Sequence, residues 1–161
     1  MEIGELETYN YDTGLFSIDV PKSWSLKDNS KSGEAILLWT DPSENGLIGV
    51  DLFEGKDEKS ADELIELLRG FLKNSFESEP DFSMDDPKAQ TDGSQLIVWS
   101  YTANASGDVK AKLLGNSFIE QRGDKISILT TAVPEDQFDT LKPETNKIIN
   151  SYKIDSSAAL P

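Results

Sequence analysis

Residues 95–133 read QLIVWSYTANASGDVKAKLLGNSFIEQRGDKISILTTAV, and this stretch decides the fold class. It contains three runs rich in Val, Ile, Leu and aromatic residues, which favour β-strands. Turn-forming residues at 105–108 and 123–124 separate the runs. Neither connection is long enough for a crossover helix, so the sequence predicts three antiparallel strands in a meander. The predicted strands cover residues 95–102, 109–121 and 125–133.

Four shorter runs upstream also have the pattern of strands. In the first run, apolar and polar side chains alternate up to Pro21, as in a half-buried strand. A cluster of turn formers at residues 41–46 separates the third run from the fourth. The short connections again predict an antiparallel meander. These predicted strands cover residues 15–20, 24–27, 35–40 and 47–53.

A first helix is predicted to begin after Ser60. Ser60 and Glu63 have the spacing of a capping box, in which each side chain accepts a hydrogen bond from the backbone of the other residue. Apolar residues follow at spacings of three and four, so one side of the helix is expected to cover a sheet. These apolar positions are Leu64, Leu68, Phe71, Leu72 and Phe76.

A second helix is predicted to open near Pro134 and Glu135, with apolar residues along one side. Pro143 lacks an amide donor, so it predicts a short helical turn, a kink, and a second helical segment over residues 143–151. The apolar positions are Phe138, Leu141, Thr145, Ile148, Ile149 and Tyr152.

One domain accommodates these elements. The chain has 161 residues, of which 37% are hydrophobic, enough for a core. We expect the domain to cover residues 9–155, with flexible segments at 1–8 and 156–161. Residues 77–90 are predicted to form a loop with one edge strand near Met84. No apolar stretch approaches the roughly 18–20 residues of a membrane-spanning helix.

The composition excludes several classes of function. A net charge of -15 would repel a phosphate backbone, which excludes a nucleic-acid partner. Because the chain has no Cys and no His, it has no disulfide, no thiolate metal site and no Ser–His–Asp triad. A carboxylate pair, a Ser–Lys dyad and a hard-cation site remain as candidate chemistries. No catalytic sequence motif is present, so we assign no catalytic or cofactor-binding residue and expect no enzyme activity.

Acid-rich segments raise the question of Ca²⁺. They are residues 41–45, Asp57-Glu58 and Asp85-Asp86. If an EF-hand loop began at Asp41, Gly46 would stand correctly at the sixth position, but Ser43 and Leu52 would replace essential ligands. A solvated acidic surface is therefore favoured, and no metal ligand is assigned.

Two tripeptides and three tryptophans admit a functional interpretation. Arg122-Gly123-Asp124 matches an integrin-ligand tripeptide, but it also suits a hairpin turn, which we favour. Asn104-Ala105-Ser106 matches an N-glycosylation acceptor, but a role in the predicted turn is sufficient to explain it. The tryptophans lie in or beside predicted strands, so packing is favoured over ligand stacking. They are Trp24, Trp39 and Trp99.

The start of the chain resembles the PsbP and PsbP-like family. Residues 14–24 read GLFSIDVPKSW, and a Gly-Phe strand that ends in Pro, with Trp three residues later, is characteristic of that family. Tyr9 and Tyr11 look like its aromatic opening. Residues 41–45 look like its turn after a strand, and residues 150–154, NSYKI, look like its ending. The likeness covers residues 9–154.

The resemblance implies an α+β fold in which a central antiparallel sheet is flanked by helices, an α/β/α sandwich. It also implies a non-catalytic protein of the thylakoid lumen or the periplasmic side of the membrane. Photosystem II subunits or assembly factors would be its partners, in assembly or in the oxygen-evolving function, and an upstream lipid anchor is a feature of many cyanobacterial members. A second hypothesis is a lumenal or periplasmic binding module for a small ligand or Ca²⁺.

Overall fold

The computed structural model describes residues 1–106 and 109–161. Over these residues the chain forms eleven β-strands, a 3₁₀ helix at Glu135–Gln137 and two α-helices. Residues 107 and 108 of the predicted turn, and the side chains of the Asn104-Ala105-Ser106 tripeptide, lie outside this description. The elements are β1 Leu6–Asn10, β2 Phe16–Pro21, β3 Ser25–Asp28, β4 Glu34–Thr40, β5 Leu47–Glu54, α1 Ala61–Phe76, β6 Ser83–Met84, β7 Lys88–Ala89, β8 Gln95–Ser106, β9 Val109–Arg122, β10 Lys125–Pro134, α2 Phe138–Ser151 and β11 Lys153–Ile154.

The strands form two antiparallel sheets. The large sheet has the order β3-β4-β5-β10-β9-β8-β6, and β7 also pairs with β8. The small sheet has the order β1-β2-β11. The strands β8, β9 and β10 form the predicted meander, and β6 is the edge strand expected near Met84. The predicted fold class, α+β with a central antiparallel sheet flanked by helices, is confirmed.

Each face of the large sheet is covered by a separate hydrophobic core. In β10, Ile126 and Ile128 point to one face and Leu129 to the other, because side chains alternate along a strand. Helix α1 packs on the first face through Leu64, Leu68 and Leu72. The small sheet and α2 cover the other face. The central strands are therefore buried on both sides.

The capping box fixes the start of α1. The Ser60 hydroxyl accepts a hydrogen bond from the Glu63 amide at 3.2 Å, and the Glu63 carboxylate accepts one from the Ser60 amide at 3.2 Å. These two bonds satisfy amides that the first turn of a helix leaves without partners. The helix start predicted from the sequence is confirmed.

The prediction that β2 belongs to one meander with β3, β4 and β5 is wrong. β2 pairs with β1 and β11, whereas β3 pairs with β4 in the large sheet. Ile18 and Val20 of β2 are buried against the large sheet. β2 therefore lies in a second layer, because this position covers an apolar face that an added edge strand would leave in water.

The prediction that a second helical segment begins at Pro143 is also wrong. The 3₁₀ turn is present, but α2 runs from Phe138 through Pro143 to Ser151. Pro143 is near the helix start, where its missing amide leaves one carbonyl, that of Asp139, without its usual donor. Burial of Thr145 and Ile148 on the sheet side keeps the helix continuous.

Both segments expected to be flexible contact the domain. In residues 1–8, Ile3 is buried and β1 begins at Leu6. In residues 156–161, Leu160 packs against the core, and the Pro161 carbonyl accepts a hydrogen bond from the Gly33 amide at 2.7 Å. Both terminal segments therefore pack against the domain, which their composition does not indicate.

Candidate functional site

An apolar groove opens on the α1 side of the large sheet. Helix α1 lies over β8 and β9, so part of β4 and β5 beside it is left uncovered. The groove has a volume of about 290 Å³. Its lining residues are Asn29, Ile36, Leu37, Leu38, Leu47, Gly49, Val50, Asp51, Phe71, Ser75, Phe76, Ile128 and Thr130.

Gly49 helps to keep this groove open. β5 alternates between the two faces of the sheet, and Gly49 lies on the α1 side together with Leu47 and Asp51. A Cβ atom added at Gly49 would have Thr130 Cβ at 3.8 Å as its nearest neighbour, an ordinary van der Waals distance. The space above Gly49 could therefore take a side chain, and in this sequence it has none.

Asp51 places a carboxyl group in the groove. Its partners in register on the neighbouring strands are Ile36 and Ile128. Asp51 Oδ1 is buried and has no hydrogen-bond partner among the described residues. Burial raises the pKa of the Asp51 carboxyl to about 7, the Glu34 carboxylate adds to the rise, and Lys31 opposes it.

The groove does not contain an acid pair. Glu34 pairs in register with Phe53, which places it diagonal to Asp51 along the strand, and it is not among the lining residues. Asp51 is the one carboxylic acid in the lining of this groove. General acid–base chemistry of the paired-carboxylate type needs two converging acids. The groove therefore has the character of a binding site, with one polar group in an apolar surface.

Asp51→Asn is expected to raise the free energy of unfolding at pH 8 by about 2 kcal/mol. The folded carboxyl titrates near 7 and the unfolded one near 3.8. Because the folded chain binds more protons between these values, its stability falls as pH rises from about 4 to about 7. Solvent screening of the partly exposed carboxyl reduces the effect to about half of the free energy that the whole pKa difference corresponds to. Denaturant unfolding across this pH range measures it.

The control for this experiment is Asp86→Asn, because Asp86 is an exposed acid. This variant is expected to keep the pH dependence of the original chain. If Asp51→Asn and the original chain lose the same stability between pH 5 and pH 8, the Asp51 carboxyl is not the group that titrates.

A polar cleft of about 400 Å³ lies on the opposite face, between the large sheet and α2. The Tyr152 hydroxyl and the Ser127 hydroxyl are 2.6 Å apart at its base, and burial raises the pKa of Tyr152. Arg122 pairs with Glu120 at 3.2 Å. Asp92, also in the lining, has a lowered pKa because Ser94 donates hydrogen bonds to it. These polar and charged groups of the cleft are paired with neighbouring groups, so we assign them a structural role.

The segment around α1 forms an acidic surface, which we define as the exposed carboxylates of residues 54–86. This segment contains eleven acidic and four basic residues, and all eleven acidic residues are exposed. Within the described part of the segment, the one ion pair joins Arg69 and Glu66 at 2.8 Å. Most of the negative charge on this side is therefore uncompensated.

Aromatic rings lie at the C-terminal end of α1, within the acidic surface. Phe76 stacks on Trp99, with ring centroids 4.3 Å apart, and on Tyr101 at 5.4 Å. Phe82 lies 6.3 Å from Phe76. Apart from the buried Trp99, these rings are half-exposed. Burial and the nearby Glu79 raise the pKa of Tyr101.

The acids around these rings oppose the helix dipole. Glu77, Glu79 and Asp81 follow the last turn of α1. A helix C-terminus carries partial negative charge, so carboxylates here cost stability rather than add to it. Asp81 gains a hydrogen bond in return, which its carboxylate accepts from the Thr102 hydroxyl at 2.9 Å. For Glu77 and Glu79 the described residues show no such gain, and a feature that lowers stability without one is a candidate for function. The arrangement, apolar rings with a charged rim, is that of a protein-interaction surface.

The acid-rich segments considered for Ca²⁺ have different environments. Asp41 is buried, and its Oδ1 accepts hydrogen bonds from the amides of Asn45 at 2.7 Å and Gly46 at 2.6 Å. Its Oδ2 accepts bonds from the Ser43 amide and hydroxyl. The Asp41 carboxylate therefore closes the turn 41–46, which corrects the expectation of a solvated acidic surface at that residue.

The other two segments, Asp57-Glu58 and Asp85-Asp86, belong to the acidic surface. In the parts of the chain that the structure describes, no group of three or more acidic side chains is close enough to hold a metal ion. Ca²⁺ binding stays a prediction. Over the same residues, no helix has the length and apolar character needed to cross a membrane.

The turn interpretation of Arg122-Gly123-Asp124 and the packing interpretation of the tryptophans are confirmed, whereas Asn104-Ala105-Ser106 lies at the end of strand β8 and not in a turn. Gly123 and Asp124 join β9 to β10 in a two-residue turn, in which Gly123 has φ +59°. Trp24, Trp39 and Trp99 are all buried in the hydrophobic cores. The indole NH of Trp99 donates a hydrogen bond to the Ser117 hydroxyl at 2.9 Å.

Sequence reasoning missed the groove at Asp51. The signal was a lone charged residue within the apolar run LIGVDLF, residues 47–53. A strand that is covered on both faces reads as a continuous apolar run, so an Asp at its centre marks either an exposed position or a buried polar site. The structure shows a position near the middle of the sheet, beside an uncovered part of it.

No protein-family model matches this sequence, and no curated protein is significantly similar to it. Solved structures are similar in three dimensions. Cyanobacterial PsbP (CyanoP) from Synechocystis sp. PCC 6803 is 16% identical with a TM-score of 0.64, and the match covers 96% of this chain and 95% of that one. The Ran-binding protein Mog1p from Saccharomyces cerevisiae is 12% identical with a TM-score of 0.59, covering 95% and 97%.

LpqN, which is involved in cell envelope biogenesis of Mycobacterium tuberculosis, is 15% identical with a TM-score of 0.53 and covers 93% and 90% of the two chains. The chain therefore has a fold of the PsbP and Mog1p type over nearly its whole length. The resemblance to PsbP is confirmed at the level of the fold, which PsbP shares with the other two proteins.

Proposed function

We propose that this chain is a non-catalytic accessory protein that acts through protein contacts, with photosystem II subunits or assembly factors as its partners. Its place is the thylakoid lumen or the periplasmic side of the membrane. Two observations support the class of function: the fold shared with PsbP and with the Ran-binding protein Mog1p, and the groove with a single acid rather than an acid pair. The sequence resemblance over residues 9–154 supports photosystem II in particular.

The acidic surface is the contact we propose, and the observation that carries it is the aromatic group within it. Interfaces bind most strongly through aromatic side chains that lose their water, and a polar rim guides the partner. Phe76, Phe82 and Tyr101 supply the rings, and Glu77, Glu79 and Asp81 supply rim charges. The partner surface is therefore basic, and Arg is favoured because its guanidinium both pairs with carboxylates and stacks on rings.

The triple variant Glu77→Gln, Glu79→Gln, Asp81→Asn is expected to weaken capture of photosystem II components about tenfold. Each exposed charge contributes about 0.5 kcal/mol, and about 1.4 kcal/mol is tenfold in affinity. The measurement is affinity capture of the tagged protein from photosynthetic membranes, quantified by mass spectrometry after low-salt and high-salt washes. Loss of capture in high salt is expected for the original chain.

The matched control neutralises three exposed acids on the small-sheet side, Glu2→Gln, Glu7→Gln and Asp12→Asn. It changes net charge by the same amount and is expected to keep capture. Recovery of no photosystem II component at low salt would reject the proposed partner. Equal capture by the two triple variants would reject the acidic surface as the contact.

A further inference from the structure

We propose that the groove at Asp51 binds a small organic cation, an ammonium group on a compact apolar body. This inference rests on the groove and does not depend on the proposed photosystem contact, although Phe76 belongs to both surfaces. Asp51 is the acid in the lining, and around it lie Ile36, Ile128, Phe71 and Phe76. The site thus offers one carboxyl and several apolar contacts.

The carboxyl lacks the partner that its position requires. Asp51 Oδ1 is buried, and no donor of the described residues bonds to it. Buried polar groups are normally hydrogen-bonded, and one that is not has lost its water without compensation. An ammonium NH supplies both the missing donor and the opposite charge, and such charge-assisted hydrogen bonds are stronger than neutral ones.

Charge complementarity selects a cation over other ligands. Glu34 adds negative potential at Asp51 that exceeds the opposing effect of Lys31, and the whole chain has a net charge of -15. An anion is therefore repelled. A bare divalent metal ion would need several oxygen ligands, whereas the groove is lined mostly by apolar side chains around one carboxyl.

The shape of the groove sets the size of the apolar body. A volume of about 290 Å³ holds about ten non-hydrogen atoms at roughly 30 Å³ each. Phe71 and Phe76 lie on the α1 side and Ile36 and Ile128 on the sheet side, so an aromatic ring in the groove would have apolar neighbours on both sides. Gly49 leaves the space open where most strand residues would fill it.

The test is made at pH 8, where the Asp51 carboxyl is mostly ionised. It uses phenethylammonium as the probe, with phenethyl alcohol and phenylacetate as matched neutral and anionic compounds. Titration of the isotope-labelled chain followed by NMR is expected to shift the amides of residues 47–51 and 71–76. We expect the ammonium compound to bind at about 1 mM or tighter and at least tenfold better than the alcohol.

Two variants test the charge and the shape of the site separately. Asp51→Asn keeps the shape of the groove. It is expected to weaken binding of the ammonium compound about tenfold and to have little effect on binding of the alcohol. Gly49→Val fills the groove and is expected to abolish binding of both. A Cβ atom at Gly49 meets only ordinary contacts, and Val favours strands, so this variant is expected to fold.

Four results would overturn the inference. The first two are equal affinity for the ammonium compound and phenylacetate, and undiminished binding by Asp51→Asn. The other two are amide shifts that fall outside the groove and the absence of any shift at 10 mM. If Gly49→Val fails to fold, the comparison of the three compounds on the original chain and on Asp51→Asn decides the matter alone.

Discussion

Gly115→Ala is expected to lower the free energy of unfolding by about 3 kcal/mol. Gly115 pairs with Trp99 across β9 and β8, and the indole ring lies over it. A Cβ atom at Gly115 would lie 2.2 Å from two atoms of that ring. The ring cannot move away, because Phe76 stacks on it at 4.3 Å and its NH is bonded to Ser117. Denaturant unfolding followed by tryptophan fluorescence measures the loss.

Gly70→Ala is the matched control. Gly70 is exposed on α1, and a Cβ atom there would meet nothing within 4 Å. Since Ala favours a helix interior, this variant is expected to gain about 0.5–1 kcal/mol. Opposite signs for the same change of residue would show that the ring over Gly115 causes the loss. A Gly115→Ala variant as stable as the original chain would mean that the ring can shift.

Asp41→Ala is expected to lower the free energy of unfolding by about 3 kcal/mol. The carboxylate accepts four hydrogen bonds from Ser43, Asn45 and Gly46, and Asp41 itself is buried. Removing it leaves the buried Gly46 amide and the partly buried amides of Ser43 and Asn45 without this acceptor, which costs more than the bonds themselves contribute. Thermal or denaturant unfolding measures the change.

Two further variants separate the causes of this loss. Asp41→Asn keeps one oxygen acceptor for the amides of Asn45 and Gly46, so it is expected to lose about half as much as Asp41→Ala. Asp85→Ala removes an exposed acid and is expected to change stability by less than about 0.5 kcal/mol. Similar stabilities for Asp41→Ala and Asp85→Ala would contradict the structural role of the turn 41–46.

Local signals in the sequence predicted most of the elements. The capping box at Ser60 and Glu63 marks the start of α1, because both partners lie within four residues. The turns of the β8–β10 region and the alternation of apolar residues likewise depend on near neighbours. The resemblance of residues 14–24 to the PsbP family supplied the layered arrangement that these local signals leave open.

The sequence could not show which distant strands pair. β5 joins β10 across roughly half of the chain, and β2 joins β11 across most of it. Alternation tells which face of a strand is apolar, but β2 can bury that face either at the edge of the large sheet or in a second layer. The wrong assignment of β2 followed from this, because proximity along the chain favoured the edge.

The candidate sites could not be predicted from the sequence for a similar reason. Asp51 is conspicuous within the apolar residues 47–53, but its burial depends on β4 and β10, and the groove depends on where α1 stops covering the sheet. The acidic residues that follow α1 are visible in the sequence as charges. Their position around Phe76 and Tyr101 depends on β8, which lies about 20 residues further along the chain.

The pairing of β2 with β11 also governs when the protein can finish folding. Ser17 lies opposite Lys153, so the small sheet cannot close until the ribosome has released almost the entire described chain. Until then, Phe16 and Ile18 lack part of their cover. Contacts between such distant residues form slowly, and exposed apolar strands in the meantime favour aggregation. During synthesis, the nascent N-terminal third is therefore the part that most needs the protection of a chaperone.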